Sequence, residues 1–289
     1  MSDKIIIFTF TDPMMGLSYE CEPIFRKLET HFENKIEFKF IMSALVRNVF
    51  DLVDENYLAL GKKFAIEKYN TELAKIYESE EKISGMPIIM KNFKLFSEKN
   101  ISSIPLNIAF KAAQIVDYDK SENFLYNLRY ATIVETRQTT KFDEILKVVK
   151  KTGVDIEKFL QVYDDGTAEK NFNEDLKICQ TLNIHRLPSY MIQYKNQSAF
   201  VSELIGYDVF VAIIDKLSDF EVKPRKIKRT QENLKKLLQK HPLISQIELK
   251  EAFDFEKLEE VDEFIAPIIE ENFVEMKKVK NTYFLEVKK

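Results

Sequence analysis

The sequence predicts an α/β domain that is interrupted by a large helical insertion and followed by a small α+β module. Three observations predict this class. An apolar run, "IIIFTF", opens the chain as a buried strand does, and a helical segment and a second strand follow it by residue 42. Residues 50–174 have the period of helices, and the strand pattern returns only after "HRLP".

The first elements form a β-α-β unit. Ile5 to Phe10 is a near-continuous apolar run with β-branched residues, which is typical of a strand buried on both faces. Pro13 and Gly16 break that pattern, and residues 22–35 then carry apolar side chains at helical spacing. Residues 36–42 alternate as a strand does. The connection is long enough for a right-handed parallel crossover.

The helical insertion is predicted from residue 50 to residue 174, with breaks at "SGMP" and "DYDKSE". After it, "SYMIQYK" and "SAFVSELIG" flank "NQ" and predict a β-hairpin. The segment "YDVFVAIIDKLSDF" then predicts a closing helix. The α/β domain is therefore expected to combine residues 1–49 with residues 175–220.

The remaining residues predict a linker and a separate module. Residues 221–230 are charged and contain Pro224, which indicates a linker, and residues 231–289 predict three helices and a C-terminal hairpin. That order suggests a winged-helix-like module. Its third helix is strongly acidic and would repel phosphates, so we expect no nucleic-acid partner and favour a protein contact or a homodimer.

Composition excludes several other classes. The net charge is −4, and the two cysteines cannot build a disulfide framework or a four-cysteine zinc site. His31, His185 and His241 are scattered, so no metal is expected. No apolar run reaches the roughly 18 residues that span a membrane, and the N-terminus lacks signal-peptide features. We expect a cytoplasmic protein without a membrane partner.

Three stretches carry a family resemblance when they are taken in order. They are "TDPMMGLSYECEP" from Thr11, "SSIPLNIAFKAAQ" from Ser102 and "DLKICQTLNIHRLPSYMI" from Asp175. Together they resemble the DsbA/FrnE-like thioredoxin-fold family, of the dithiol-disulfide isomerase branch that includes ClpXP-adaptor-type members. The resemblance covers about Lys4 to Asp219. It implies a thioredoxin fold and a cis-proline loop at Leu187-Pro188.

The first stretch departs from the family at its reactive positions. Met15 stands where the family has its nucleophilic cysteine, and Ser18 stands where it has the resolving cysteine. A thioether cannot be deprotonated and a serine cannot form a disulfide, so this degenerate CxxC motif cannot exchange disulfides. We therefore assign no catalytic residue. Cys21 is the only thiol nearby, while Cys179 is expected to be an inert core residue.

The leading hypothesis is a redox-inactive, protein-binding adaptor that takes another protein or an extended peptide. The first alternative is a thiol-disulfide oxidoreductase or isomerase that uses Cys21 or glutathione. The second is a kappa-like, glutathione-dependent transferase or isomerase. No cofactor is expected. If the chain does use one, the resemblance indicates glutathione. The predicted peptide-binding residues are Asp12, Pro13, Met15, Ser18, Tyr19, Arg186, Leu187 and Pro188.

Overall fold

The computed structural model describes residues 4–288. Its strands are β1 (Ile5–Thr11), β2 (Ile36–Met42), β3 (Ser189–Tyr194), β4 (Gln197–Val201), β5 (Leu243–Ser245), β6 (Val274–Val279) and β7 (Thr282–Val287). Its α-helices are α1 (Gly16–Glu20), α2 (Glu22–Phe32), α3 (Glu55–Ala59), α4 (Lys62–Glu80), α5 (Ile104–Val116), α6 (Tyr118–Ile133), α7 (Phe142–Thr152), α8 (Ile156–Asp164), α9 (Thr167–Thr181), α10 (Tyr207–Leu217), α11 (Gln231–Lys240), α12 (Gln246–Ala252) and α13 (Leu258–Glu270).

The first sheet has the order β2-β1-β3-β4, with β1 and β2 parallel and the other pairs antiparallel. Alternation along β1 separates two faces. Ile5 and Ile7 belong to the core that also holds side chains of α2 and α10, whereas Phe8 and Phe10 pack with Cys179 of α9. The predicted β-α-β unit and the later hairpin are confirmed.

The insertion is helical as predicted, but its helices depart from the prediction at two places. The helical region predicted from residue 50 is divided at Gly61, whose φ of 116° suits glycine, and α4 then runs from Lys62 to Glu80. Residues 84–103 form a long irregular segment whose apolar side chains are mostly buried. Periodicity cannot reveal such a segment, because it has none.

The C-terminal module has the helix-strand-helix-helix-strand-strand order of a winged helix, and its sheet has the order β5-β7-β6. The short strand β5 escaped prediction because it has only three residues. It leads directly into α12 through a capping box, in which the Ser245 and Glu248 side chains each bond the other's backbone N–H. The expected winged-helix-like module is confirmed.

This module packs tightly on the first domain through α12 and α2. Thr30 Oγ1 donates to the carbonyl oxygen of Ala252 at 2.8 Å, and Lys27 pairs with Asp254 at 3.0 Å. The ring of Phe284 lies 4.8 Å from that of Tyr130, between centroids, so the insertion also contacts the module. Within residues 4–288, no helix is long and apolar enough to span a membrane.

Candidate functional site

The turn after β1 is organised by the carboxylate of Asp12. Its Oδ1 accepts from the N–H of Met14 at 3.0 Å. Its Oδ2 accepts from Leu45 N at 2.8 Å, Ser103 Oγ at 2.7 Å and Asn107 Nδ2 at 2.8 Å. The group is fully buried, and burial raises its pKa although these bonds oppose the change. Asp12 thus ties the first stretch of the resemblance to the second, and it offers a partner no exposed atom.

Met15 and Ser18 are placed at the start of the short helix α1, with Pro13 buried just before them. Met15 is the N-cap residue and is 5% exposed. The hydroxyl oxygen of Ser18 lies 2.7 Å from Thr11 Oγ1, which also accepts a hydrogen bond from Arg129 Nη2 at 2.9 Å. The position of the resolving cysteine is therefore occupied by a buried hydroxyl that is already hydrogen-bonded.

Tyr19 also lies beneath the surface. Its hydroxyl donates to the carbonyl oxygen of Pro87 at 3.0 Å, and the hydroxyl of Tyr77 donates to the carbonyl oxygen of Met14 at 2.5 Å. These two bonds fasten the turn and α1 to the insertion. Tyr19 is a buried structural residue of the site and has no exposed surface that a peptide could contact.

Cys21 lies at the break between α1 and α2 and is 1% exposed. Its Sγ is 3.1 Å from the hydroxyl oxygen of Tyr190. Burial raises the pKa of this thiol to about 12, and the bond to Tyr190 offsets only part of that effect. A buried thiol that stays protonated at neutral pH has neither the access nor the charge that disulfide exchange requires.

The Leu187-Pro188 peptide bond is cis, as the resemblance implies. Ser189 pairs with Phe10 in the sheet, so Pro188 lies beside the end of β1. Arg186 is exposed and Leu187 is half-buried, whereas Pro188 is buried. The accessible residues of the predicted site are therefore in this loop, whereas Met15 and Ser18 of the degenerate turn are buried.

Sequence reasoning missed a buried network of charged side chains beside the turn. Arg129 donates to Glu22 at 2.7 Å, and Arg26 pairs with Glu22 at 3.2 Å and with Glu122 at 2.9 Å. Arg26 also lies 3.7 Å from Glu248 of the C-terminal module. Glu22 and Arg26 are four residues apart on one helix, which usually indicates an exposed ion pair. Here the insertion and the module cover them.

Comparison with known proteins agrees with this architecture. A family model described as thioredoxin matches residues 8–213. The ClpXP adapter protein SpxH of Halalkalibacterium halodurans is 22% identical over 278 residues, which are 95% of this chain and 86% of that protein. The protein of the same name from Bacillus subtilis is 24% identical over 221 residues, which are 75% of this chain and 69% of that protein.

Solved structures agree on the fold. A candidate protein disulfide isomerase from Nitrosomonas europaea superposes with a TM-score of 0.61 at 12% identity, covering 75% of this chain and 99% of that one. A candidate DsbA oxidoreductase from Streptomyces coelicolor has a TM-score of 0.55 at 14% identity, covering 78% of this chain and 94% of that one. At such identities the likeness extends to the fold and not to the chemistry.

Proposed function

This chain belongs to the thioredoxin family, and on that premise we propose that it is an adaptor that binds another protein through the Leu187-Pro188 loop. The observation that carries the proposal is the contrast within one site. Met15 and Ser18 are buried and the Ser18 hydroxyl is hydrogen-bonded, while Arg186 is exposed and Leu187 is half-buried. Strand addition at such a loop uses backbone groups and needs no thiol.

The names of the curated relatives support a more specific role. Those proteins are described as ClpXP adapters, so we infer that this chain presents its partner to a protease of that kind. The oxidoreductase alternative would need Cys21, which is buried and protonated at neutral pH. We infer no cofactor, so reduced glutathione should leave the melting temperature unchanged.

Crosslinking followed by a degradation assay tests the proposal. A photoreactive amino acid at position 187 captures the partner from native lysate, and the purified partner is then incubated with ClpXP and the full chain. We expect the chain to accelerate degradation several-fold and Leu187→Glu to abolish the acceleration. Leu60→Glu is the matched control, because Leu60 is an exposed leucine of the insertion.

Two results would overturn the adaptor proposal. One is equal acceleration by the Leu187→Glu variant, which would move binding away from the loop. The other is thiol-dependent insulin reduction that disappears in Cys21→Ala, which would make the chain an oxidoreductase.

We also propose that the chain forms a homodimer through the C-terminal module. Because α12 already packs on α2, a second copy would have to contact the remaining surface of the module. The exposed face of α13 is rich in carboxylates, among them Glu259 and Glu263, which repel each other across a two-fold axis. Light scattering of the full chain at low and high salt measures the mass, and high salt should favour any dimer through this face.

A further inference from the structure

A cavity of about 420 Å³ lies beside the Leu187-Pro188 loop. Its walls come from residues 43–47 after β2, from the end of α9 at Cys179, and from residues 183–187 before β3. We call it the Cys179 cavity. Its volume is within the roughly 300–1,000 Å³ of protein ligand pockets. Leu187 forms one wall, so a segment that lies on the loop passes the cavity.

Much of the cavity lining is apolar. Leu45, Ile184 and Leu187 contribute to it, and Leu45 is 42% exposed. Burying such aliphatic surface under a ligand is favourable, because it removes apolar area from water. The cavity can therefore accept an aliphatic side chain from a bound segment.

Arg47 gives the lining of the cavity a positive charge. Arg47 and His185 line it, Arg186 follows directly in the chain, and no carboxylate is among the lining residues. None of these three forms an ion pair with any residue between 4 and 288, although the chain as a whole is acidic. The nearest acidic residue of α9, Asp175, is turned inward, where it pairs with Lys111 at 3.1 Å and accepts from Met42 N at 2.9 Å.

Building on the proposed function, we propose that the Cys179 cavity receives an aliphatic side chain of an acidic partner segment whose carboxylates pair with Arg47 and Arg186. The charge complementarity selects the occupant, because a guanidinium without a carboxylate partner favours an acidic segment and opposes a basic one. The backbone of the segment would continue along Leu187, where the adaptor binds. The cavity thereby specifies the chemistry of the partner at the loop.

Three synthetic peptides test this proposal with the full chain. Each carries a central leucine, and the flanking residues are aspartates, asparagines or lysines. We expect fluorescence anisotropy to give about tenfold tighter binding of the aspartate peptide than of the asparagine peptide, and weaker binding of the lysine peptide, with the difference shrinking at high salt. Arg47→Glu should reverse the order of the three affinities. Lys216→Glu is the control, because it makes the same change of charge on α10, on the other side of the sheet from Cys179. This variant should keep the order of affinities of the parent chain.

A thiol footprint locates the peptide. In the Leu45→Cys variant, the aspartate peptide should slow alkylation of the introduced thiol by iodoacetamide, read by mass spectrometry, because position 45 lines the cavity and is 42% exposed. Equal affinity for all three peptides, or binding that leaves this alkylation unchanged, overturns the inference. These outcomes are separable from failure of the adaptor proposal. If Leu187→Glu abolishes assisted degradation while Arg47→Glu does not, the adaptor stands and the cavity assignment falls.

Discussion

Thr11 Oγ1 and Ser18 Oγ lie 2.7 Å apart, so the end of β1 and the first turn of α1 are joined by a hydrogen bond between hydroxyls. In a redox-active relative, the position of Ser18 would hold a thiol that must be free to leave and return. Here the Ser18 side chain is buried and hydrogen-bonded. The turn therefore has a structural role, which is to connect β1 to α1.

A series of buried polar contacts extends from Thr11 to the C-terminal module. Arg129 donates to Thr11 at 2.9 Å and to Glu22 at 2.7 Å, Glu22 pairs with Arg26, and Arg26 lies near Glu248. The chain of contacts passes through the first domain, the insertion and the module. Because a buried ion costs several kcal/mol unless it is paired, these contacts depend on one another.

Replacement of Arg26 by methionine should destabilise the protein by about 3–5 kcal/mol, because it leaves the buried Glu248 without a cation beside it and leaves Glu22 with Arg129 alone. Urea unfolding measures the loss. We also expect faster proteolysis within residues 221–230, which form no helix or strand, because the module loses an attachment to α2. Lys236→Met is the control, since Lys236 forms an exposed pair with Glu232 and should cost at most about 1 kcal/mol. Equal loss in both variants would contradict this role of Arg26.

Gly16→Ala should lower the melting temperature, because the first residue of α1 has no room for a methyl group. A Cβ there would lie 1.9 Å from Glu80 Oε2 and 2.7 Å from Tyr77 Cδ1. Glu80 can move aside, but the ring of Tyr77 is held by its bond to Met14. Overpacking of this kind costs about 1–3 kcal/mol. Gly206→Ala is the matched control, since nothing lies within 4 Å of its added Cβ, and an equal effect there would refute the steric argument.

Much of the fold was predictable because its signals are local. The apolar run of β1, the helical period of α2 and the alternation of β2 each lie within one short segment. The missed features depend on contacts between distant segments. Strand β5 pairs with β7, which is distant in the chain, and residues 84–103 pack against α4, α6 and the C-terminal module.

The sequence predicts which residues belong to the candidate site, but not which of them are accessible. It groups Asp12, Ser18 and Tyr19 with Leu187-Pro188 as peptide-binding residues, and it could not show that the first three are buried while Arg186 is exposed. Burial depends on residues that are distant in the sequence. Ser103 donates a hydrogen bond to Asp12, and the carbonyl oxygen of Pro87 accepts one from Tyr19. The Cys179 cavity was missed for the same reason, because its walls come from three separate segments.

Stability should fall as pH rises from 5 to 8, in part through Glu20. Burial raises the pKa of Glu20 from 4.5 to about 7, so in this window the folded chain binds more protons than the unfolded chain. By linkage, the free energy of unfolding then decreases with pH, by at most about 3 kcal/mol for this group. Glu20→Gln should therefore flatten the pH profile of the urea midpoint.

Comparing the pH profiles of the parent chain and Glu20→Gln separates the contribution of Glu20 from those of other titrating groups. Glu248 acts in the same direction, and His31, whose pKa is lowered by burial, acts in the opposite direction. The matched control is Glu67→Gln on the exposed face of α4, which should retain the slope of the parent. A Glu20→Gln profile as steep as the parent's would show that this carboxyl is not the source.

Cys21 should resist alkylation as long as the chain is folded. Its pKa is raised by burial from 9.0 to about 12, which lowers the thiolate fraction at pH 8 by about a thousandfold, and only the thiolate attacks iodoacetamide. Mass spectrometry after brief treatment should find Cys21 unmodified in the native chain and fully modified in urea. The denatured sample is the control for intrinsic reactivity, because it exposes the same thiol without the contact to Tyr190. Native and denatured rates within tenfold of each other would mean that α1 opens readily, and the oxidoreductase alternative would regain its nucleophile.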